Sequence, residues 1–256
     1  MGLVPRGRRN AGELTLKNLR LDLCNLPAAF DGFRILHLTD FHFDEDTELA
    51  RRVRDLTAPI EADLCVLTGD YLWGHEEPYD HVFEQMRTLC EGIRSRHGIF
   101  GVLGNHDLAA FIGPFRELGV RILVNEHERL QVGDDHIWVA GVDDPNWYQT
   151  GDVGLTLNSI PETDFVLLLA HSPEEVVAAS KRGVDLYLCG HTHAGQIRLP
   201  LLGPISSNMR APRRLCQGLW RYKGMQGYTS SGIGTTQVPV RYNCPPEVVV
   251  FELRKT

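Results

Sequence analysis

The sequence lacks the features that would place the chain in a membrane, in an oxidising compartment or on nucleic acid. It has no apolar run of the roughly 20 residues that a membrane-spanning helix needs. Its six cysteines are scattered without a CxxC pair, which favours free thiols. The formal net charge of −7 repels polyanions, so we expect no nucleic-acid partner. These absences favour a cytoplasmic protein.

Three common catalytic signatures are also missing. The chain has no GxSxG motif of a serine hydrolase and no GxxxxGK[ST] loop of a nucleotide triphosphatase. The glycines of GIFGVLG are not spaced as in the dinucleotide-binding GxGxxG. The chemistry must therefore lie in other residues.

The length and composition suit a single large domain. The 256 residues are 43% hydrophobic, and no linker rich in Pro, Gly or Ser divides them. We predict one domain over residues 13–256. Residues 1–12 contain LVPRG, which looks like a thrombin cleavage linker, so this segment is interpreted as a tag remnant or a flexible arm.

Five short apolar segments, typical of buried strands, each end in an unusual polar cluster. Amphipathic stretches lie between them, among them SPEEVVAASKRG, where Ser172 is placed to cap a helix and Gly183 to end it. This alternation predicts an α/β fold with a largely parallel core. The segments and the clusters that follow them are FRILHL before TDFH, DLCVL before TGD, GIFGVL before GNHD, DFVLLL before AH, and VDLYLC before GHTH.

The position of the clusters predicts a shared site. Functional groups in open α/β sheets gather beyond the carboxyl ends of the strands, so we expect the five clusters on one sheet edge, in one crevice. A single aspartate or asparagine there is often only a turn residue. Five clusters in register point instead to a site, and its candidate residues are Asp40, His42, Asp70, Asn105, His106, His171, His191 and His193.

The types of these residues indicate metal binding. Imidazole, carboxylate and amide ligands without a thiolate suit divalent Mn²⁺, Fe²⁺ or Zn²⁺, and Mn²⁺ is our first choice. Seven of the eight candidates, all except His106, are taken as ligands. Seven ligands exceed the needs of one four-coordinate zinc and suit two adjacent ions. Two ions about 4 Å apart can share a carboxylate and a hydroxide that attacks phosphorus.

These motifs resemble the signature of the calcineurin-like metallophosphoesterase superfamily, over about Phe33 to His193. The resemblance implies a four-layer αββα sandwich of two mixed sheets flanked by helices. It also implies two ligand sets that share Asp70. The first metal would be held by Asp40, His42, Asp70 and His193, and the second by Asp70, Asn105, His171 and His191.

The same resemblance gives the remaining imidazole a catalytic role. The family's matching histidine lies beside the metals, where it stabilises the phosphoryl oxygens or protonates the leaving group. His106 occupies that position in this sequence, and Asp107 would orient it.

Two segments resemble a narrower bacterial group of membrane-associated phosphodiesterases, which includes UDP-2,3-diacylglucosamine pyrophosphatases of lipid A synthesis. They are GHTHAGQIRLP and SGIGTTQVPVRYNCPPEVVVFEL, with Ala194 where the group has glycine. The group implies a lipid-linked nucleotide as substrate and peripheral contact with the inner membrane. The residues from Arg198 to Lys223 are interpreted as a long loop. Its candidate substrate contacts are Arg210, Arg213 and Arg214, with His75 as a fourth.

Three functions stay open at this point. The first is a two-metal hydrolase of a phosphodiester or pyrophosphate bond. The second is a soluble phosphomonoesterase or cyclic-nucleotide phosphodiesterase with the same centre. The third is a scaffold that keeps the fold without catalysis.

Overall fold

The computed structural model describes residues 2–44, 46–74, 77–236 and 238–256 of the chain. In those ranges it contains 16 strands and six α-helices. The strands are β1 (Thr15–Leu23), β2 (Arg34–Leu38), β3 (Glu61–Ala62), β4 (Leu64–Leu67), β5 (Arg94–Ser95), β6 (Ile99–Gly101), β7 (Val120–Ile122), β8 (Glu126–Val132), β9 (Asp135–Gly141), β10 (Val166–Leu169), β11 (Leu186–Cys189), β12 (Arg198–Leu199), β13 (Gly203–Pro204), β14 (Gly218–Tyr222), β15 (Met225–Thr229) and β16 (Glu247–Lys255). The helices are α1 (Leu3–Gly12), α2 (Leu49–Thr57), α3 (Asp80–Cys90), α4 (Ile112–Glu117), α5 (Val153–Thr156) and α6 (Val176–Lys181).

Two six-stranded sheets form the core of the fold. The first has the order β1-β16-β2-β4-β6-β7, and the second has the order β14-β15-β11-β10-β9-β8. Both are mixed, because β16 runs antiparallel to β2 in the first sheet and β8 and β14 run antiparallel to their neighbours in the second. A buried apolar cluster containing side chains such as Ile35, Val66 and Leu167 lies between the two sheets. The fold is α/β, and the predicted pair of mixed sheets is confirmed.

Helices cover the outer face of each sheet. Buried apolar side chains of α2 and α3, among them Val53 and Met86, pack with the outward-facing residues of the first sheet. Residues of α6, including Val176 and Ala179, pack with the outward-facing residues of the second. Each sheet is therefore buried on both faces, which explains why its central strands are continuous apolar runs rather than alternating ones.

The five predicted strands are all present, but they do not belong to one sheet. Strands β2, β4 and β6 are parallel neighbours in the first sheet, whereas β10 and β11 are parallel neighbours in the second. The expectation of a single sheet edge is wrong in this respect. The two sheets meet at the carboxyl ends of these strands, so the polar clusters still converge.

Two local predictions need correction. The segment after Ser172 begins as a short 3-10 helix, Pro173–Glu175, before α6, and the Ser172 side chain makes no capping hydrogen bond. Gly183 does end this helical region with a positive φ of 76°. The segment interpreted as a long loop contains β12, β13 and β14, and β14 pairs antiparallel with β15.

Residues 3–12, interpreted as a linker remnant or a flexible arm, form helix α1 and contact the segment before β16. The backbone N–H of Arg241 donates to the carbonyl of Gly7 at 3.0 Å. The Asn10 side chain donates to the carbonyl of Arg241 at 2.9 Å. The origin of this segment in a linker stays a prediction.

Candidate metal centre

Two groups of buried side chains lie at the junction of the sheets. In each group, one nitrogen or carboxylate oxygen of every residue lies within 4.8 Å of those of the others. The first group follows β2 and β11, and the second follows β4, β10 and β11. The groups are Asp40, His42 and His193, and Asp70, His171 and His191.

Asp70 lies between the two groups. Its Oδ2 is 3.2 Å from Nε2 of His171 and 3.6 Å from Nε2 of His42. Its Oδ1 accepts a hydrogen bond from the backbone N–H of His106 at 3.1 Å. This carboxylate is therefore placed to serve cations on both sides of it.

The imidazoles face one another closely. Nε2 of His42 lies 3.1 Å from Nε2 of His193, and Nε2 of His171 lies 3.1 Å from Nδ1 of His191. Two unprotonated ring nitrogens at this distance repel each other unless a proton or a metal ion lies between them.

The other ring nitrogen of three imidazoles is fixed by a backbone carbonyl. Nδ1 of His42 donates to Leu72 O at 3.0 Å, and Nδ1 of His171 donates to Thr68 O at 2.7 Å. Nε2 of His191 lies 2.8 Å from Asn208 O. Because a carbonyl only accepts, these contacts leave the inward-facing nitrogens as the metal-binding ones.

Electrostatics at the site favour a bound cation. Burial lowers the pKa of His42 to about 4 and, together with the charge of His171, lowers the pKa of His191 to about 4. Burial also opposes charge on His171, but the Asp70 carboxylate outweighs it and raises the pKa of His171 to about 10. A proton on His171 thus neutralises the negative charge of Asp70. A bound metal ion would take over that role from the proton.

Asn105 completes the set of seven predicted ligands. Its amide oxygen is buried and has no hydrogen-bond partner in the described part of the chain. A buried oxygen without a partner is costly unless an ion or water satisfies it, so Asn105 also fits a metal ligand.

The backbone is strained where the ligands lie. Five of the seven predicted ligands have a positive φ, a region that non-glycine residues rarely occupy outside functional sites. Two glycines let the loops approach this closely. A Cβ on Gly190 would lie 2.2 Å from Asp40 Oδ2, and a Cβ on Gly104 would lie 2.2 Å from Asp70 Oδ1. The five strained ligands are Asp40, His42, Asp70, His191 and His193.

Asp107 supports the site through the backbone. Its carboxylate accepts hydrogen bonds from the N–H groups of Gly104, Asp70 and Tyr71 at 2.7, 2.8 and 2.8 Å. It thereby ties the loop after β4 to the loop after β6. That Asp107 orients His106 stays a prediction. Its hydrogen bond from the backbone N–H of Asp70 makes it a positioning residue for that ligand.

The arginines predicted to contact substrate are bonded to neighbouring protein groups, and their role with substrate stays a prediction. The guanidinium of Arg210 donates to Pro145 O at 3.0 Å, and its backbone N–H donates to Glu174. Arg213 donates to Pro204 O at 2.7 Å, and Arg214 lies over the ring of Tyr222. The fourth candidate, His75, lies outside the described residues.

The sequence interpretation missed three residues that contact the site. Trp73 lies with its ring centroid 4.4 Å from that of His106. The side-chain amide of Asn146 lies 2.5 Å from Nε2 of His191. Arg241 is fully buried, and its Nη2 lies 3.3 Å from Nδ1 of His193. Only Trp73 had a local signal, since it lies three residues after Asp70.

A family model for the calcineurin-like phosphoesterase matches residues 33–195. The chain belongs to this family. It is a phosphoesterase, and its buried ligand groups are those of a centre for two divalent metal ions. Phosphate esters are its class of substrate.

Curated relatives and solved structures agree with this assignment. The uncharacterized metallophosphoesterase YkuE of Bacillus subtilis is 29% identical over 243 residues, which cover 90% of this chain and 82% of the relative. The phosphodiesterase YaeI of Escherichia coli is 29% identical, covering 86% and 82%. Among solved structures, TT1561 of Thermus thermophilus has a TM-score of 0.50 at 13% identity, covering 78% and 90%, which shows likeness of fold alone.

Proposed function

We propose that the chain hydrolyses a phosphodiester or pyrophosphate bond with two divalent metal ions, Mn²⁺ first among them. The observation that carries this proposal is the arrangement of two pairs of facing imidazoles, 3.1 Å apart within each pair, on either side of Asp70. Fe²⁺ and Zn²⁺ suit the same ligands. Support for a diester comes from the name of a relative, the phosphodiesterase YaeI.

We assign the ligands to two positions. Asp40, His42 and His193 hold the first ion, and His171, His191 and Asn105 hold the second, with Asp70 shared between them. When bound, two such ions supply Lewis acidity at the phosphoryl oxygens and the nucleophile for an in-line displacement. The protein contributes the fixed tautomers of His42 and His171, which present unprotonated nitrogens to the ions.

The direct test is metal-dependent turnover of a simple diester. Protein stripped with a chelator and reloaded with Mn²⁺ is expected to cleave bis(p-nitrophenyl) phosphate, and the stripped protein is not. Binding of about two Mn²⁺ per chain should accompany the recovery of activity. Binding of two ions with no turnover of diesters, monoesters or pyrophosphates would contradict the proposal.

His106 is assigned as the general acid for the leaving group. It is less buried than the ligands, and its ring lies edge-on to that of His42, with centroids 5.6 Å apart. Replacing His106 with alanine is expected to lower kcat by about 10²–10⁴, the usual contribution of a general acid. Metal content should stay at the wild-type value.

The metal measurement decides between two roles of His106. Loss of an ion in the alanine variant would make this residue a ligand instead of an acid. A diester with a better leaving group needs less protonation, so the variant's defect should shrink with dinitrophenol as leaving group. An equal defect for both leaving groups would contradict the assignment.

At a finer level, we propose a lipid-linked nucleotide such as UDP-2,3-diacylglucosamine as the substrate. The support is an exposed apolar hairpin formed by β12, β13 and the residues between them. Leu201 and Leu202 at its tip are exposed. Ile205, just after the hairpin, is also exposed and lines a cleft that His191 and His193 line as well. Arg213 holds the hairpin through Pro204 O and adds positive charge that suits an anionic membrane surface.

This finer proposal predicts a lipid-specific effect at the hairpin. Changing Leu201 and Leu202 together to asparagine should raise KM for UDP-2,3-diacylglucosamine in vesicles by at least about tenfold, because burying even one leucine side chain contributes about 1.5 kcal/mol or more. Turnover of bis(p-nitrophenyl) phosphate should not change. UMP release is followed by phosphorus NMR.

The matched control for the hairpin is Leu155→Asn, which changes an exposed leucine on α5, outside the hairpin. We expect wild-type kinetics from it on both substrates. Absence of UMP release by the wild-type protein, with the aryl diester still cleaved, would overturn the lipid-nucleotide proposal and leave the metal centre intact. No helix in the described part of the chain is long and apolar enough to cross a membrane.

A further inference from the structure

A cleft beside the metal ligands has a wall that the two-metal chemistry does not use. The cleft has a volume of about 470 Å³ and includes Asp70, His191 and His193 at its base. Its sides carry the indole of Trp73, the apolar side chains of Ile205 and Val238, and short polar residues such as Ser206. A volume of this size fits a ligand larger than a phosphate group.

Trp73 is held firmly beside the reacting centre. The Asp44 carboxylate accepts hydrogen bonds from the backbone N–H groups of Trp73 and Gly74 at 2.7 and 2.6 Å. The indole lies 4.4 Å from the ring of His106 with an interplanar angle of 31°, and edge-on to His42 at 5.3 Å. The indole and His106 line the same cleft as Asp70, so a group that extends from a metal-bound phosphate into this cleft can meet the ring.

The lining of the cleft favours an uncharged group. None of its lining residues in the described part of the chain is a lysine or an arginine. The arginines predicted to contact substrate are engaged with Pro145, Pro204 and Tyr222 instead. Positive charge in the cleft would therefore come from the metals at its base, where the phosphate itself must lie.

We propose that Trp73, with Ile205 and Val238, forms a subsite for an uncharged, flat organic group attached to the phosphate of the substrate. This inference rests on the proposed two-metal site, because the metals fix the phosphate from which the group extends. The indole supplies a stacking surface, and the two aliphatic side chains add apolar contact. Trp73 is thus a specificity residue, and it selects ring-bearing esters over small alkyl ones.

The test uses two monoesters that differ in one organic group. The affinities of Mn²⁺-loaded protein for phenyl phosphate and methyl phosphate are measured by calorimetry. Inorganic phosphate is the third ligand. We expect the wild-type protein to bind phenyl phosphate at least tenfold more tightly than methyl phosphate, as stacking on an indole typically gives about tenfold or more. Trp73→Ala and Trp73→Leu should both lose this preference.

Three substitutions separate stacking from simple apolar contact and allow for a Trp73 variant that does not fold. Trp73→Leu keeps an apolar side chain without a ring, and Trp73→Phe should keep most of the preference. Ile205→Ala changes an exposed residue of the same cleft and should reduce the preference about threefold, roughly the loss expected from one buried methylene group. It provides a second measurement if the Trp73 variants do not fold.

Binding of inorganic phosphate tests the metal site separately from the Trp73 subsite. Its affinity should be the same in the wild-type protein and the Trp73 variants. A preference for phenyl phosphate that survives in Trp73→Ala, or a uniform loss of affinity for all three ligands, would overturn the subsite. Failure of the wild-type protein to bind inorganic phosphate at all would contradict the metal site itself.

Discussion

Replacing Asp70 with asparagine is expected to lower kcat/KM for a diester by more than about 100-fold. Removing a residue that only hydrogen-bonds to a metal ligand costs up to about 100-fold, and loss of a ligand itself should cost more. The side chain keeps its size, but its negative charge is lost from between the two groups of imidazoles, where Oδ2 lies 3.2 Å from His171 and 3.6 Å from His42. Asp40 would then be the one carboxylate among the seven predicted ligands. Two divalent ions would repel each other without the shared anion.

The measurement combines metal content with turnover. After dialysis against metal-free buffer, the Asp70→Asn protein should retain fewer ions per chain than the wild-type protein, and bis(p-nitrophenyl) phosphate should be cleaved correspondingly slowly. Asp164→Asn is the matched control, because Asp164 accepts hydrogen bonds from His136 and Trp138 instead of facing the site. Wild-type metal content in the Asp70 variant would show that Asp70 is not shared between the ions.

Replacing Arg241 with methionine is expected to destabilise the protein by at least about 3 kcal/mol. The side chain is fully buried and donates to the backbone carbonyls of Ser231, Cys244, Gly232 and Gly234, at 2.7, 3.2, 3.2 and 2.5 Å. Burial lowers the pKa of Arg241 to about 10, so it remains charged at neutral pH. Gly232 O also accepts from the backbone N–H of Glu247 at 3.1 Å. Methionine fills much of the space but removes the guanidinium donor from the carbonyls of Ser231, Cys244 and Gly234, and each such loss costs about 1–3 kcal/mol.

Urea unfolding followed by tryptophan fluorescence measures the effect. Arg20→Met is the matched control, since Arg20 is largely exposed and pairs with Asp22 on the surface, and it should unfold at the same urea concentration as the wild-type protein. Lysine at position 241 should recover only part of the loss, because one ammonium group cannot match the planar fork of a guanidinium. A loss below about 1 kcal/mol in Arg241→Met would show that water or shifted backbone replaces the guanidinium.

The parts of the site that sequence could predict are those set by local patterns. The strands before Asp40, Asp70 and Asn105 are short apolar runs, and a polar residue directly after such a run must lie at the strand end. The convergence of these clusters was therefore predicted correctly, while the role of each residue as a ligand stays a prediction. Their division between two sheets could not be found this way, since the apolar pattern of a strand does not specify which neighbours it pairs with.

The parts that sequence could not predict depend on contacts between distant segments. Arg241 lies 48 positions from His193 and carries no local sign of burial, so its contact with that ring follows only from the fold. The arginines after β13 looked like substrate contacts because arginine suits phosphate. In the structure their guanidinium groups meet carbonyls and a tyrosine ring nearby, contacts that composition does not reveal, and their role with substrate stays a prediction.

Strand β16 determines when the site can form. It is the last strand along the chain, yet it lies inside the first sheet, parallel to β1 and antiparallel to β2. The segment leading into it also packs on the first ligand, since a Cβ on Gly232 would lie 2.7 Å from Cβ of Asp40. During synthesis, β2 can pair with β4, but it lacks its second neighbour until residues 247–255 leave the ribosome. The packing of this segment on Asp40 can therefore form only after residues 232–255 have been synthesised, about 190 residues later than Asp40 itself.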